Sequence, residues 1–283
     1  MPSYMNKTLI FILLSISLFY NSKTIAQNNI YSDIELMLKS KNPEKAMLIL
    51  DSIGKINRNS ETLFFKFYLL RSLCSLKKND EALNICNEVI YKNPKDSLLH
   101  EFYSLRSSIY KEFGELELAV QDINKAIALK PNEISYYLNA SYYYGEISDY
   151  DNCLFVLDKA IALNPKDFYI LNNLSYYSSL AKKYDKAISY ANEGIKYVND
   201  STWLGVLINN RGFANLGLGK YEIALEDIDE SIKYFPNNSY AYYNKALAYI
   251  QHKELNKVCE NLNLAKQFGA INMTYDLLKQ YCE

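Results

Sequence analysis

The sequence predicts an all-α protein built from tandem pairs of antiparallel helices. The first observation is a 34-residue pattern, Gly205–Asn238, that returns in Ile134–Asp167 with small residues and a closing proline at matching positions. The second is the helical spacing of apolar residues in each half of this pattern. The third is composition: 27 Tyr stand against only 9 Gly and 6 Pro. Few helix breakers and many bulky side chains are typical of closely packed helices joined by short turns.

The overall charge of the chain indicates whether nucleic acid is to be expected as a partner. Lys and Arg total 31 and Asp and Glu total 32, and no long run of either sign occurs. A nucleic-acid-binding surface neutralises phosphates and therefore needs a basic patch or stripe. The sequence offers no such patch, so we do not expect nucleic acid as a partner.

The N-terminal segment, residues 1–26, predicts a secretory signal peptide. Lys7 gives it a positive start, Leu9–Tyr20 is an apolar core, and Thr24-Ile25-Ala26 offers small residues for a signal peptidase. Cleavage would make Gln27 the new N-terminus, and the apolar core is shorter than the roughly 20 residues of a spanning helix. We therefore expect an exported protein, periplasmic or secreted, whose mature chain does not insert into the membrane. The alternative is an uncleaved N-terminal membrane anchor.

The rest of the chain divides into repeats. Residues 27–60 predict a degenerate helix pair, 61–270 the repeat array, and 271–283 a C-terminal capping helix. Within the array the predicted units are 63–96, 100–133, 134–167, 168–201, 205–238 and 239–270. Two three-residue insertions, Ser97–Leu99 and Thr202–Leu204, interrupt this register, and we expect each to lengthen a helix end or a turn.

Small residues recur where the two helices of a unit should approach each other closely. In the first helices they are Ser107, Ser141, Ser175, Gly212 and Ala246. In the second helices they are Ala119, Cys153, Ala187 and Ala224. One helix pair cannot bury both of its faces, so we expect stability to come from contacts between neighbouring units.

These units resemble the tetratricopeptide repeat family, strongly over Leu63–Ala270 and weakly over residues 29–59. The unit 134–167 carries small, aromatic and closing residues at the family's offsets: Tyr137, Ser141, Tyr144, Cys153, Ala160 and Pro165. Gly205–Asn238 departs from the pattern, with Ile208, Arg211 and Asn215 where the family prefers Trp, Leu and Tyr. The resemblance implies a right-handed α-solenoid whose first helices line a concave groove.

The resemblance also implies a function, which is binding of a protein or peptide partner in that groove as a non-catalytic scaffold. The candidate groove residues are Tyr142, Tyr169, Asn172, Tyr176, Asn209, Asn210, Phe213, Tyr240, Tyr243 and Asn244. Tyrosine combines large contact area with a polar tip, and asparagine can hydrogen-bond a peptide backbone. The alternative is a glycan or small ligand stacked on the same rings. Nothing in the sequence identifies the partner.

Catalytic, metal and nucleotide sites are not expected. The two histidines, His100 and His252, are far apart, and neither has a second His or a Cys pair at metal-binding spacing. The run Gly217–Lys220 imitates a phosphate-binding loop but lacks its glycine spacing and its Ser or Thr after the lysine. We therefore predict no enzyme activity, no cofactor and no metal.

Cysteine placement leaves one pairing open. Cys259 begins the second helix of the last repeat, and Cys282 ends the capping helix, which should run antiparallel to it. A disulfide between them and two free thiols are both compatible with this placement. Cys74, Cys86 and Cys153 fall on buried helix faces, where cysteine acts as a small apolar residue.

Overall fold

A computed structural model of the protein describes residues 31–56 (side chains to 53), 62–92 and 95–282. The predicted signal peptide, residues 1–26, and residues 93–94 of the predicted unit 63–96 lie outside these ranges. Every regular element within them is helical. The helices are α1 (31–39), α2 (Pro43–Ile56), α3 (Leu63–Ser75), α4 (Asn79–Lys92), α5 (Leu99–Glu112), α6 (Leu116–Leu129), α7 (Ile134–Glu146), α8 (Tyr150–Leu163), α9 (Phe168–Leu180), α10 (Tyr184–Ile195), α11 (Ser201–Gly217), α12 (Tyr221–Tyr234), α13 (Ser239–Gln251), α14 (Val258–Gln267) and α15 (Ile271–Tyr281).

The chain forms two compact units, one ending at Lys130 and the other beginning at Pro131. In unit 1, consecutive helices from α2 to α6 pack on one another. In unit 2, consecutive helices from α7 to α15 also pack on one another, and the first helices of adjacent repeats touch, α9 with α11 and α11 with α13. Each unit is thus a stack of helix pairs, which confirms the predicted fold class.

Positive backbone φ angles mark the turn inside each helix pair. The turn residues have φ between 57° and 78°, at Lys41, Lys77, Gly114, Ser148, Lys182, Gly219 and Lys253. The backbone N–H two positions after the helix bonds back to its last turn, as Gly114 does to the carbonyl of Lys111 at 3.0 Å. This left-handed ending satisfies the last carbonyls of a helix and reverses the chain in few residues. The turn residues therefore give a common register for all the repeats.

The two insertions have different structural effects. Residues 97–98 lie in the turn before α5, which begins at Leu99, so the first insertion lengthens a turn. Thr202–Leu204 instead adds a turn to the start of α11, which has 17 residues where α9 and α13 have 13. Asp200 caps this longer helix by accepting a hydrogen bond from the backbone N–H of Trp203 at 2.9 Å.

Small residues permit close helix contacts, as the sequence predicts. A Cβ atom added at Gly212 would lie 3.0 Å from Ile228 Cγ1 and 3.1 Å from the carbonyl oxygen of Ala224. The equivalent Ser107 and Ser141 are buried, and so is Cys153 on the opposing helix. Since interiors are close-packed, these positions accept only small side chains.

A buried polar group explains two of the departures from the family pattern in Gly205–Asn238. Arg211 of α11 donates from Nη2 to the carboxylate of Asp227 on α12 at 2.6 Å and from Nη1 to Asn192 on α10 at 3.0 Å. Asn215 also donates to Asp227, at 3.0 Å. This arginine clamp ties three consecutive helices together, where the family places apolar side chains.

The C-terminal helix α15 packs on α14 and ends the array. Cys259 and Cys282 are bonded in the structure, and their Cα atoms are 5.6 Å apart. The bond joins the first turn of α14 to the residue after α15, the arrangement that an antiparallel cap produces. Cys86 and Cys153 are buried, and Cys74 is partly buried against the same core as Cys86.

Candidate functional site

A cavity of about 540 Å³ lies within unit 2, lined by α7, α9, α11, the segment 235–240 and the end of α14. Its lining residues are Tyr142, Glu146, Asn172, Tyr176, Tyr177, Trp203, Val206, Asn209, Asn210, Phe235, Asn237, Asn238, Ser239, Tyr240 and Phe268. Most of them are aromatic residues or asparagines. Glu146 is the one charged residue of the lining, which holds no Lys, Arg or His.

Asparagine side chains bond to one another from repeat to repeat along this wall. Asn210 Nδ2 on α11 donates to Asn172 Oδ1 on α9 at 2.9 Å. Asn244 Nδ2 on α13 donates to Asn209 Oδ1 on α11 at 3.0 Å. Asn172 also donates, to its neighbour Asn173, at 3.2 Å. These bonds connect the first helices of adjacent repeats and orient the amides.

Asn209 and Asn210 each have one atom of the side-chain amide, a nitrogen or an oxygen, that forms no hydrogen bond. Their exposures are only 3% and 7%, yet both residues line the cavity. Asn209 uses its oxygen as an acceptor and Asn210 uses its nitrogen as a donor. Among the described residues nothing pairs with Asn209 Nδ2 or Asn210 Oδ1. The cavity wall therefore carries an adjacent donor and acceptor, held in place by neighbouring repeats.

The tyrosines of α9 are placed by a glycine on α7. A Cβ atom at Gly145 would lie 2.4 Å from the ring of Tyr177, so only glycine leaves room for that ring. Tyr176 and Tyr177 stand nearly edge to face, with their ring centroids 5.2 Å apart. Burial, with smaller contributions from neighbouring groups including Glu146, raises the pKa of both hydroxyls. Both rings therefore remain neutral hydrogen-bonding groups at physiological pH.

Trp203 forms the rim of the cavity. It lies in the inserted turn of α11, and its ring centroid is 4.5 Å from that of Tyr169 and 5.9 Å from that of Phe168. Tyr169 and Tyr240, both about half exposed, extend the aromatic surface toward solvent. Aromatic rings clustered in this way offer large flat faces to a ligand.

Six of the ten groove residues suggested by the sequence line this cavity: Tyr142, Asn172, Tyr176, Asn209, Asn210 and Tyr240. Tyr169 is not part of the lining, but its ring packs against the rim residue Trp203. Asn244 is buried beneath the wall as the partner of Asn209, and Tyr243 packs on the core around Ala246. Phe213 is half-buried on α11, outside the lining.

Sequence reasoning missed several lining residues, among them Glu146, Tyr177, Trp203, Phe235 and Phe268. Phe235 and Phe268 follow the second helices of their repeats, so a rule based on first helices does not find them. Trp203 had a visible signal, because it is the only tryptophan and lies in an insertion. The direction in which the Trp203 side chain points depends on whether that insertion lengthens a helix or a turn, which the sequence does not decide.

Residues of the kinds that bind metal ions also occur among the described residues. No group of three or more His, Cys, Asp and Glu among them is placed to hold a metal ion. His252 stacks on Tyr221 with centroids 3.8 Å apart, and Tyr221 donates to Glu254 at 2.8 Å, at the exposed end of a helix pair. In the part of the chain that the structure describes, no helix combines the length and apolarity that a membrane crossing requires.

Two family models described as tetratricopeptide repeat match this chain, one at residues 100–133 and 134–167 and the other at residues 156–189. These matches agree with the helix pairs and their register. This chain therefore contains tetratricopeptide repeats. No curated protein sequence matches this tetratricopeptide repeat protein.

Solved structures share the fold of this tetratricopeptide repeat protein. A tetratricopeptide repeat protein from Parabacteroides merdae is 18% identical, with a TM-score of 0.68 over 90% of this chain and 98% of that chain. The C-terminal part of a repeat-containing protein from Cytophaga hutchinsonii is 15% identical, with a TM-score of 0.62 over 87% of this chain and 98% of that chain.

A chain of the Cut9–Hcn1 hetero-tetramer of APC/C is also similar, at 18% identity and a TM-score of 0.64. The match covers 88% of this chain and 48% of that chain, so this protein spans about half the length of that relative. At these identities the likeness concerns the fold alone.

Proposed function

We propose that this chain is a non-catalytic scaffold that binds a segment of a partner protein in the cavity of unit 2. The observation that carries the proposal is the amide pair of Asn209 and Asn210, buried in the wall with one donor and one acceptor unused. An extended peptide backbone offers the complementary C=O and N–H groups, while the surrounding rings accept its side chains. The family resemblance supports the same kind of partner.

Comparison with unit 1 supports a binding role for the cavity residues over a packing role. Asn172 and Tyr176 on α9 precede the turn residue Lys182 by ten and six positions. The residues at those distances before Lys77 on α3 are Phe67 and Arg71. The same helix-pair architecture therefore forms without the asparagine and tyrosine, so the fold by itself does not require them.

Two alanine variants test the proposal on labelled peptide libraries and oligosaccharide arrays. Tyr142→Ala/Tyr176→Ala removes two lining rings and should weaken peptide binding at least about 10-fold, the loss expected for central aromatic contacts. The matched control, Tyr91→Ala/Tyr275→Ala, removes two tyrosines that are 86% and 67% exposed elsewhere, and should bind as the parent chain does.

Glycan binding is the competing outcome of this experiment, since the exposed rings of Tyr169 and Tyr240, beside the half-buried Trp203, could stack on sugars. Binding of oligosaccharides but not peptides, lost in the Tyr142→Ala/Tyr176→Ala variant, would replace the peptide proposal. Equal peptide binding by both double variants would show that the cavity is not the site.

The location of the scaffold is part of the proposal. The charged start, apolar core and small residues before Gln27 support export to the periplasm or beyond. N-terminal sequencing of the protein recovered from the exported fraction should begin at Gln27. Recovery of the intact chain from the membrane fraction would instead indicate an uncleaved anchor, and recovery from the cytoplasm would contradict export.

A further inference from the structure

Glu146 gives the cavity a negative charge that nothing within the described residues neutralises. It is the last residue of α7, is exposed, and forms no ion pair with any described residue. It lies one turn after Tyr142 and close enough to Tyr176 and Tyr177 to interact electrostatically with both. A lone carboxylate beside aromatic rings, in a cavity without Lys, Arg or His, is an environment that attracts a cation.

Unit 1 shows how the fold fills the equivalent place. Lys41 ends the turn after α1 and Ser148 the turn after α7, both with positive φ. Counting back six residues from each gives Glu35 on α1 and Tyr142 on α7. These two residues therefore occupy the same position in their helix pairs.

The next repeat is aligned in the same way. Lys77 and Lys182 are the turn residues after α3 and α9. Six residues before them lie Arg71 and Tyr176. The tyrosine pair of unit 2, Tyr142 with Tyr176, thus corresponds to Glu35 with Arg71 in unit 1.

In unit 1 this place is occupied by an internal cation. Arg71 forms an ion pair with Glu35, and the Nη2···Oε1 distance is 3.3 Å. The guanidinium lies over the rings of Phe67 and Tyr68, at 5.4 and 6.0 Å from their centroids. Carboxylate, cation and aromatic faces are therefore all supplied by the chain itself.

Unit 2 also brings a carboxylate and aromatic rings together, at other positions of the repeat, but lacks the cation. Tyr176 replaces the arginine, and Glu146 stands two residues before its turn, where unit 1 has Lys39. We propose that the cavity of unit 2 binds a protein segment that presents a Lys or Arg side chain to Glu146 and the neighbouring tyrosine rings. This inference rests on the proposed function and specifies the chemistry of its partner.

The remainder of the cavity indicates what accompanies the basic residue. Glu146 ends α7, whereas Trp203 and Tyr240 lie in the first turns of α11 and α13. Alternate helices of antiparallel pairs run in the same direction, so the acid and these two rings lie toward opposite ends of the cavity. The segment should therefore carry an apolar or aromatic residue several positions away from its basic residue, with the backbone passing Asn209 and Asn210.

The test is a selection of random peptides displayed on phage, carried out in parallel on the parent chain, Glu146→Gln and Glu112→Gln. Glu112 is the matched control, because it also ends its helix two residues before the turn, in unit 1. Peptides selected on the parent and on Glu112→Gln should be enriched in Lys or Arg, and those selected on Glu146→Gln should not.

Affinities of one selected peptide then isolate the contact. Replacing its basic residue by Gln should weaken binding to the parent about 10-fold and binding to Glu146→Gln only about twofold, as expected for a charge-assisted contact. The difference should shrink at high salt. Trp203, the only tryptophan, provides a fluorescence signal for the titrations.

Two results would overturn the inference, and they differ in what they leave standing. Selected peptides without a basic residue, or basic peptides that bind Glu146→Gln as well as the parent, contradict the cation site but keep the peptide scaffold. Failure to select any peptide, or binding that survives Tyr142→Ala/Tyr176→Ala, contradicts the proposed function and the cation site together.

Discussion

At the scale of single residues, the space beside a glycine decides which helices can meet. A Cβ atom added at Gly212 would lie 3.0–3.1 Å from atoms of Ile228, Ala224 and Asp227. One of these atoms is a backbone oxygen, which cannot move away without shifting α12. The helix pair therefore depends on a missing methyl group.

Gly212→Ala should accordingly lower the stability of the chain. Overpacking should lower the free energy of unfolding by about 1–3 kcal/mol. The better helix propensity of alanine offsets up to about 1 kcal/mol of this loss. The net loss in free energy of unfolding, measured by urea denaturation, should be about 1–2 kcal/mol. Ser141→Ala is the control, since that equivalent position already holds a Cβ. A stabilised Gly212→Ala variant would show that the helices are less tightly packed.

At the scale of helices, polar groups fasten neighbours that the repeat pattern alone would join by apolar packing. The arginine clamp of Arg211 is an example, because Asp227 is 6% exposed and bonds both Arg211 and Asn215. A buried carboxylate is costly without its partners. The clamp is therefore a point where one substitution has a large effect.

Arg211→Met should destabilise the chain by about 3–5 kcal/mol, because it leaves Asp227 buried without its cation. Arg211→Met/Asp227→Leu should recover most of that loss. Lys183→Met is the control, since the ion pair of Lys183 with Asp151 is exposed and should be worth less than about 1 kcal/mol. Urea denaturation measures all three. Equal losses in the single and double variants would contradict the clamp's role.

The Cys259–Cys282 bond fastens the last helix, and thiol counting tests it. The denatured, unreduced chain should expose three thiols and the reduced chain all five. The native chain should react slowly, because burial raises the pKa of Cys74 to about 11 and that of Cys153 to about 12.

Reduction should also loosen α15, since a bond across 23 residues stabilises by about 3 kcal/mol in the loop-entropy model. Hydrogen exchange in α15 should rise on reduction and should match that of Cys259→Ser/Cys282→Ser. Five thiols in the denatured, unreduced protein would show that the bond is absent.

At the scale of the whole molecule, the two units repeat each other over more than one helix pair. In unit 1, Arg106 donates hydrogen bonds to Asp122 at 2.6 Å and to Asn87 at 2.7 Å. Each of these three residues lies 105 positions before the corresponding residue of the arginine clamp of Arg211. The two insertions and the turn glycines Gly114 and Gly219 are also 105 positions apart. The chain thus contains a longer period of three helix pairs, and unit 2 begins near the second copy.

Alkaline pH should unfold this tyrosine-rich chain as a whole. Burial raises the pKa of Tyr68, Tyr176, Tyr177, Tyr190 and Tyr243 above the ordinary value of about 10. A pKa raised in the folded state leaves stability intact below the unfolded-state pKa and removes it as pH rises toward the folded-state pKa.

Circular dichroism should therefore show stability falling above about pH 10, and absorbance at 295 nm should show a late group of tyrosines ionising together with loss of helix. Tyr177→Phe should retain more of its stability at high pH than the parent, whereas Tyr91→Phe, at an exposed tyrosine, should not. Ionisation of every tyrosine in a still-helical chain would contradict this account.

The sequence by itself determined the helices, their pairing and the family. The positions of Ser141, Gly212 and Pro165 repeat along the chain, and contacts within a helix pair are local, so periodicity suffices to predict them. Six cavity residues also followed, because first helices share one exposed face. The placement of Cys259 allowed a bond to Cys282 without deciding it.

Only the tertiary structure decided which side chains meet across repeats. Trp203 reaches the cavity because an insertion lengthens α11, and Tyr177 fits because Gly145 lies opposite it on another helix. Asn244 is buried under Asn209, although its spacing is that of a groove residue. Such contacts join residues about 30 or more positions apart and depend on helix length and packing distance, quantities that a residue's place in the repeat does not contain.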